Sequence, residues 1–378
     1  MILQVKDLIL NQNSELRLED TQVPGELKTD LSNDELFLAP GLIDLQINGY
    51  KGVDFNNEAL SVEKIENAVY ELLKDGVTGF LPTFITNDPM IVEENLSLFN
   101  QAMEKNSLVR DCILGFHMEG PFISAIEGAR GAHPVQWVLE PDLNLLDKWQ
   151  KLTENKIKLL TLSPEYQKSI DFIKACRENG IKVAIGHSSA TSEQVHYAVS
   201  AGADLSTHLG NGLPRTLHRH KNILFEQIAN DGLYASIIAD GHHLPPDLIK
   251  IILRSKPGRV FLISDSTMYA GMQPGAYTSF IGGKVQLKEN KRLSLFDKDE
   301  YLAGSASYLY ECVNHLSREN LSTLSQAWEM ASVIPFKYLS DKELRSARKK
   351  ERVLFTYKND VIKIVLTLKN DQLFHAFR

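Results

Sequence analysis

Cysteine is scarce in this chain. Cys112, Cys176 and Cys312 stand far apart with no C-x-x-C spacing, which argues against both a disulfide framework and a thiolate zinc site. Long apolar runs are missing too: charges interrupt the opening MILQVKDLIL, and no stretch reaches the about 18 apolar residues of a membrane span. Positive charge is not in excess. At a net −7 over 378 residues, nothing electrostatic favours nucleic acid or an anionic membrane as partner, so an anionic small molecule would need a local basic site. Internal repeats and low-complexity segments are absent. These absences leave a cytoplasmic globular enzyme as the expectation, with a chain long enough to bury a substantial core.

What is present is a rhythm. Short apolar runs end in polar or glycine-containing turns eight times: APGLIDLQING, GVTGFLPTFIT, DCILGFHMEG, IKLLTLSPE, IKVAIGHSS, ADLSTHLG, LYASIIADG and RVFLISDS. Between most of them lie helical patterns such as SVEKIENAVYELLKDG and KSIDFIKACRENG, the second closed by Gly180. Polar residues recur at the same end of successive runs, which fits a (β/α)8 TIM-like barrel better than an open sheet. Strand-like patterning returns at about 277–303 and again at both chain ends. The expected architecture is a small β-sandwich domain built from residues 1–38 and 340–378 around a barrel spanning 39–339.

The strand ends carry Gln46, Asn48, Thr83, His117, Glu119, Glu165, His187, His208, Asp240, His242, His243 and Asp265. A lone buried histidine is usually a satisfied core residue. Here three strands in sequence offer Glu119, His187 and His208 at equivalent positions, and two imidazoles with a carboxylate make a catalytic zinc or iron site. A divalent ion there would bring the pKa of water from about 15.7 toward roughly 7. Asp265, in LISDSTMYAG, is then the general base and later the proton donor, with Glu165 as the fallback. Of the adjacent His242 and His243, only one can face the barrel mouth from an extended segment.

These motifs, in collinear order from APGLIDLQINGYKGVDFN through HMEGPFIS, GAHP, IGHSSAT, STHLGNG, ADGHHL and ISDSTM to LAGSASYL, resemble the amidohydrolase superfamily and, within it, the N-acetylglucosamine-6-phosphate deacetylases. The resemblance implies hydrolysis of an N-acetyl group to acetate and glucosamine 6-phosphate with one divalent metal ion, zinc or iron. It makes Glu119, His187 and His208 the metal ligands, Asp265 the proton shuttle and His243 the group that polarises the substrate carbonyl. It also makes His133, Asn211, Gly212 and Arg219 substrate contacts, and implies a homodimer in which the Arg219 segment approaches the partner's substrate.

Departures from the family pattern bear on this. Gln46 and Asn48 stand where many amidohydrolases carry an H-x-H pair, which argues for one metal ion rather than two. HLGNGLPRTLHRH replaces the usual N-A-M run, and SAIEGAR lengthens the segment before GAHP. Arg215, His220 and Arg130 therefore compete with Arg219 for a phosphate. Alternatives are an amidohydrolase for another N-acyl amino sugar or cyclic amide, and a non-catalytic sugar-phosphate sensor.

Overall fold

The computed structural model describes residues 2–18, 35–279, 283–339 and 350–375. Eight parallel strands form its centre, each hydrogen-bonded to its sequence neighbour: Leu42–Ile47, Val77–Ile85, Phe116–Glu119, Ile157–Leu162, Lys182–Ile185, Leu205–Ser206, Tyr234–Ile237 and Val260–Leu262. The sheet closes between its first and last strands through an Ile47–Ser266 bridge. The Ser264 N–H donates to both oxygens of Asp44 across the same seam, at 3.2 Å each. Asp44 is fully enclosed there, and burial pushes its carboxyl up to about 7.

Period-two alternation decides which side chains fill the barrel. Leu45, Leu81, Leu159, Ala184, Leu205 and Phe261 meet inside, where Tyr338 of helix Val333–Leu339 plugs the lower end. Their neighbours, such as Leu160, Val183 and Ile185, face the surrounding helices. Helix Val62–Lys74 illustrates the outer layer: Ser61 caps it by accepting from Lys64 N, and Ile65, Ala68, Val69, Leu72 and Leu73 form its buried stripe. Gly180, at φ +73°, follows helix Ser169–Glu178, as the sequence predicts.

Above the apolar layers lies a polar one. His117 Nδ1 faces the Leu45 carbonyl oxygen at 3.1 Å and Nε2 faces Thr161 Oγ1 at 2.7 Å, which in turn meets Thr207 Oγ1 at 2.7 Å. Burial pushes His117 down to about 4, so the ring is neutral and serves as the floor of the site.

The chain ends build one six-stranded sheet, ordered Gln12–Arg17, Ile2–Asp7, Leu36–Pro40, Arg352–Lys358, Val361–Lys369, Gln372–His375. Only the Ile2–Asp7/Leu36–Pro40 pair among these is parallel. Leu36, Leu38, Leu354 and Leu366 form a separate small core. Phe37, Val353 and Phe355 point the other way into the main core, where Trp328 stacks on Phe355 at 4.4 Å. Strand Leu36–Pro40 crosses the anticipated boundary at 38/39 and leads through Gly41 into the barrel; residues 340–349 of the anticipated small domain lie outside the described residues.

A second antiparallel sheet, Gly275–Ser279, Gly283–Leu287, Leu293–Leu295 and Lys298–Leu302, follows the eighth barrel strand. It accounts for the strand-like patterning at 277–303. Its last strand borders the mouth of the barrel.

Candidate active site

The carboxyl ends of the barrel strands open into a pocket of about 400 Å³. Glu119 ends the third strand, and His187, His208, His243 and Asp265 lie just beyond the fifth, sixth, seventh and eighth, the rim at which barrel enzymes carry their chemistry. His187, His208 and Asp265 all have left-handed backbones, at φ +46°, +31° and +49°. Such a conformation costs non-glycine residues roughly 1–3 kcal/mol. Three occurrences in one pocket mark where the fold bends sharply to aim side chains.

Three electron-pair donors converge. His187 Nε2 and His208 Nε2 lie 3.2 and 2.9 Å from Glu119 Oε1, and 3.0 Å from each other. The Ala129 carbonyl oxygen, 2.9 Å from His187 Nδ1, accepts a hydrogen bond from the N–H of that nitrogen, so Nε2 keeps its lone pair toward the cluster. Burial works to raise the Glu119 carboxyl, but its contacts with His187 and His208 overcome this and hold it well below the usual range. An anionic oxygen and two imidazole lone pairs at one point fit a divalent cation of the zinc or iron type.

His133 also comes close. Glu119, His133 and His187 offer ligand atoms within 4.8 Å of one another, and His133 Nε2 is 3.2 Å from His187 Nε2. The Thr86 N–H, however, donates to His133 Nδ1 at 3.4 Å. That nitrogen is then the acceptor, the ring proton sits on Nε2, and His133 is a hydrogen-bond donor rather than a ligand. Burial and then the neighbouring His187 push it down to about 3, keeping it neutral.

Gln46 and Asn48, at the end of the first barrel strand, hold the acidic groups of the site. The Gln46 amide donates to Glu119 Oε1 at 2.9 Å and Asp265 Oδ1 at 3.1 Å, joining the two carboxylates. Asn48 Nδ2 donates to the same Asp265 oxygen at 2.7 Å. Burial and then the charge of Glu119 raise Asp265 to about 7.

Of the histidine pair, His243 lines the pocket while His242 Nε2 meets the Asn290 carbonyl oxygen at 2.8 Å, tying down the second sheet. Asp240 had no assigned partner in the sequence. Its Oδ2 lies 2.8 Å from His243 Nδ1, and Oδ1 accepts the His242 and His243 N–H groups at 2.8 and 3.0 Å. Burial opposes ionisation, yet these bonds hold Asp240 down at about 2. The D-G-H-H spacing was the available signal, since Asx side chains commonly accept from backbone two and three residues on.

Glu165 sits elsewhere: it accepts from Ser124, Ser163 and Ser189 hydroxyls at 2.9, 2.7 and 2.6 Å, stitching three strand-end loops together. The SAIEGAR stretch proves central. It supplies Ala129 to His187, and Arg130 Nη1 holds the His133 carbonyl oxygen at 2.6 Å, so Arg130 is committed to local structure. Asn211 and Gly212 line the pocket. Gly212, at φ +60°, is pressed against His187, where a Cβ would fall 2.9 Å from Nδ1. Arg215, His218, Arg219 and His220 are all exposed; of the arginines among the described residues, Arg215 borders the pocket. Asp54, Tyr301 and Glu300, also at the mouth, carry no sequence signal that would have found them.

The model of the Amidohydrolase family matches residues 37–340. The N-acetylglucosamine-6-phosphate deacetylase of Bacillus subtilis (strain 168) is 33% identical over 282 residues, 74% of this chain and 69% of that protein. Its counterpart of the same name from Haemophilus influenzae is 29% identical over 355 residues, 91% and 89% of the two chains. The crystal structure of N-acetylglucosamine-6-phosphate deacetylase from Pasteurella multocida superposes with a TM-score of 0.80 at 23% identity, covering 99% of this chain and 100% of that one, a likeness of fold.

Proposed function

The chain belongs to the amidohydrolase family, among its N-acetylglucosamine-6-phosphate deacetylases, and on that premise we propose that it hydrolyses the N-acetyl group of N-acetylglucosamine 6-phosphate at one mononuclear metal site. The observation that carries this reading is the convergence of Glu119, His187 and His208, joined through Gln46 to Asp265. Those three residues would hold a single divalent ion, zinc or iron. Such an ion supplies Lewis acidity, which eases deprotonation of water near neutral pH and polarises a carbonyl.

The protein's own groups move the protons. Asp265 Oδ1 is occupied by Gln46 and Asn48, so its other oxygen accepts the proton of the attacking water. Asp265 then delivers that proton to the nitrogen of the tetrahedral intermediate as its C–N bond breaks, so that the amine leaves neutral. His243 stabilises the developing oxyanion. With Nδ1 directed at Asp240, donation has to come from Nε2 of a doubly protonated ring, for which ionised Asp240 is the counter-charge. His133, donating from Nε2, and Asn211 and Gly212 at the wall orient the sugar.

In this reading the enzyme is cytoplasmic and works as a homodimer, with exposed Arg219 reaching the partner's substrate phosphate. Incubating the purified protein with N-acetylglucosamine 6-phosphate and added zinc or ferrous ion should release stoichiometric acetate and free amine; no acetate with any divalent ion would overturn the assignment. Light scattering that finds an active monomer would remove the dimer.

A further inference from the structure

The loop after the seventh barrel strand carries His243, and it is gripped from two sides. Asp240 holds it from within, since Oδ1 accepts the His242 and His243 N–H groups. From outside, His242 Nε2 lies 2.8 Å from the Asn290 carbonyl oxygen. A carbonyl oxygen only accepts, so the ring proton sits on Nε2 and His242 is the donor. Asn290 belongs to the turn 288–292, which joins strands Gly283–Leu287 and Leu293–Leu295 of the second sheet. His243 lines the pocket and His242 does not.

One helix supports both the turn and the loop. In Leu309–Arg318, Glu311 pairs with Lys291 of the turn, whose ammonium also lies 4.2 Å from the Tyr308 ring centroid. One helical turn further on, buried His315 packs under Gly241, where a Cβ would fall 3.0 Å from His315 Cε1. Gly241, at φ +82°, takes the backbone conformation and the close approach that only glycine tolerates. The loop thus rests on the helix at Gly241 and is fastened to the turn at His242, one residue before His243. A group that stabilises an oxyanion is effective only when it is held in place beforehand.

We propose that His242 is a positioning residue for His243: its bond to the Asn290 carbonyl oxygen clamps turn 288–292 against the D-G-H-H loop and so fixes where the His243 ring stands when the oxyanion forms. This deepens the deacetylase reading and rests on it.

The test is steady-state acetate release from N-acetylglucosamine 6-phosphate by the metal-loaded protein. His242→Ala should lower kcat about tenfold, short of the roughly 10²- to 10³-fold cost of removing an oxyanion donor. KM and bound metal should stay close to wild type, the pattern of a group felt in the transition state. His242→Gln returns an amide N–H at the far end of the side chain and should recover most of the loss, whereas His242→Met fills the space without a donor and should not. Lys291→Met loosens the same turn from its other side, so its loss and that of His242→Ala should combine to less than their product. Circular dichroism and elemental analysis check that each variant is folded and loaded. A His242→Met variant as active as His242→Gln overturns the proposal, as does a loss confined to KM, which would place the effect in the pocket wall. Losses that multiply in the double variant overturn the clamp through the turn. A wild type that releases no acetate overturns the deacetylase reading and the proposal with it; an active wild type paired with a His242→Ala variant of equal kcat overturns the role of His242 alone.

Discussion

At the scale of single side chains, the work assigned to Asp265 follows from which of its oxygens is already engaged. Asp265→Asn keeps the shape and removes the acceptor, so turnover should fall by about 10²- to 10⁴-fold with cation content retained; elemental analysis alongside the rate assay checks both halves. Gln46 makes a second statement of this kind. Because its amide already joins Glu119 to Asp265, dialysed protein should hold one equivalent of zinc or iron per chain, and two tightly held equivalents would contradict the geometry. The cluster-forming residues were legible in the sequence because a carboxylate and two imidazoles fell at corresponding strand ends. Asp240, Ala129 and Tyr301 were not. Ala129 acts through a backbone carbonyl, which any residue possesses, and Tyr301 reaches the site only because a distant sheet folds over it.

At the scale of elements, loops and seams set the tolerances. Gly212→Ala would press a methyl group onto His187 at a backbone angle that disfavours any side chain. Displacing that ring from Ala129 should weaken cation binding about 10- to 100-fold, measurable by competition with a chelator. The seam between the first and last barrel strands gives a pH signature. Asp44 titrates near 7 when folded and near 3.9 when unfolded. Between those values the native state holds a proton that the unfolded chain has lost, so this group's contribution to stability declines as pH rises from about 4 to 7 and stays low above. Asp44→Asn escapes that decline. Its melting temperature relative to wild type should climb from pH 5 to pH 8, by an amount corresponding to a few kcal/mol at most; a difference flat with pH would show that Asp44 stays ionised. The eight strands themselves could be read from turn-terminated apolar runs. Their closure could not, since Asp44 gives no sign in sequence that Ser264 is its partner.

At the scale of the whole molecule, the terminal sheet is pinned to the barrel by a buried ion pair. Lys369 Nζ reaches Glu351 Oε1 at 2.6 Å and the carbonyl oxygens of Thr78 and Asp111 at 3.0 and 2.9 Å. Lys369→Met should cost about 3–5 kcal/mol by leaving a buried carboxylate without its lysine, seen in denaturant midpoints, while activity per folded molecule at 25 °C is kept. That the two chain ends share a sheet was legible from their β-like patterning, and their turns, Asn359-Asp360 and Asn370-Asp371, have the paired positive φ values that tight hairpins require. Strand order was not, because it depends on pairing between residues as remote as Pro40 and Arg352. That pairing also governs how the protein is made. A ribosome delivers Leu36–Pro40 long before its partner strand Arg352–Lys358, so for most of synthesis an apolar strand edge stands open to other nascent chains. Ending translation after residue 351 would leave that edge open permanently, and such a product should collect in inclusion bodies with every side chain of its active site intact.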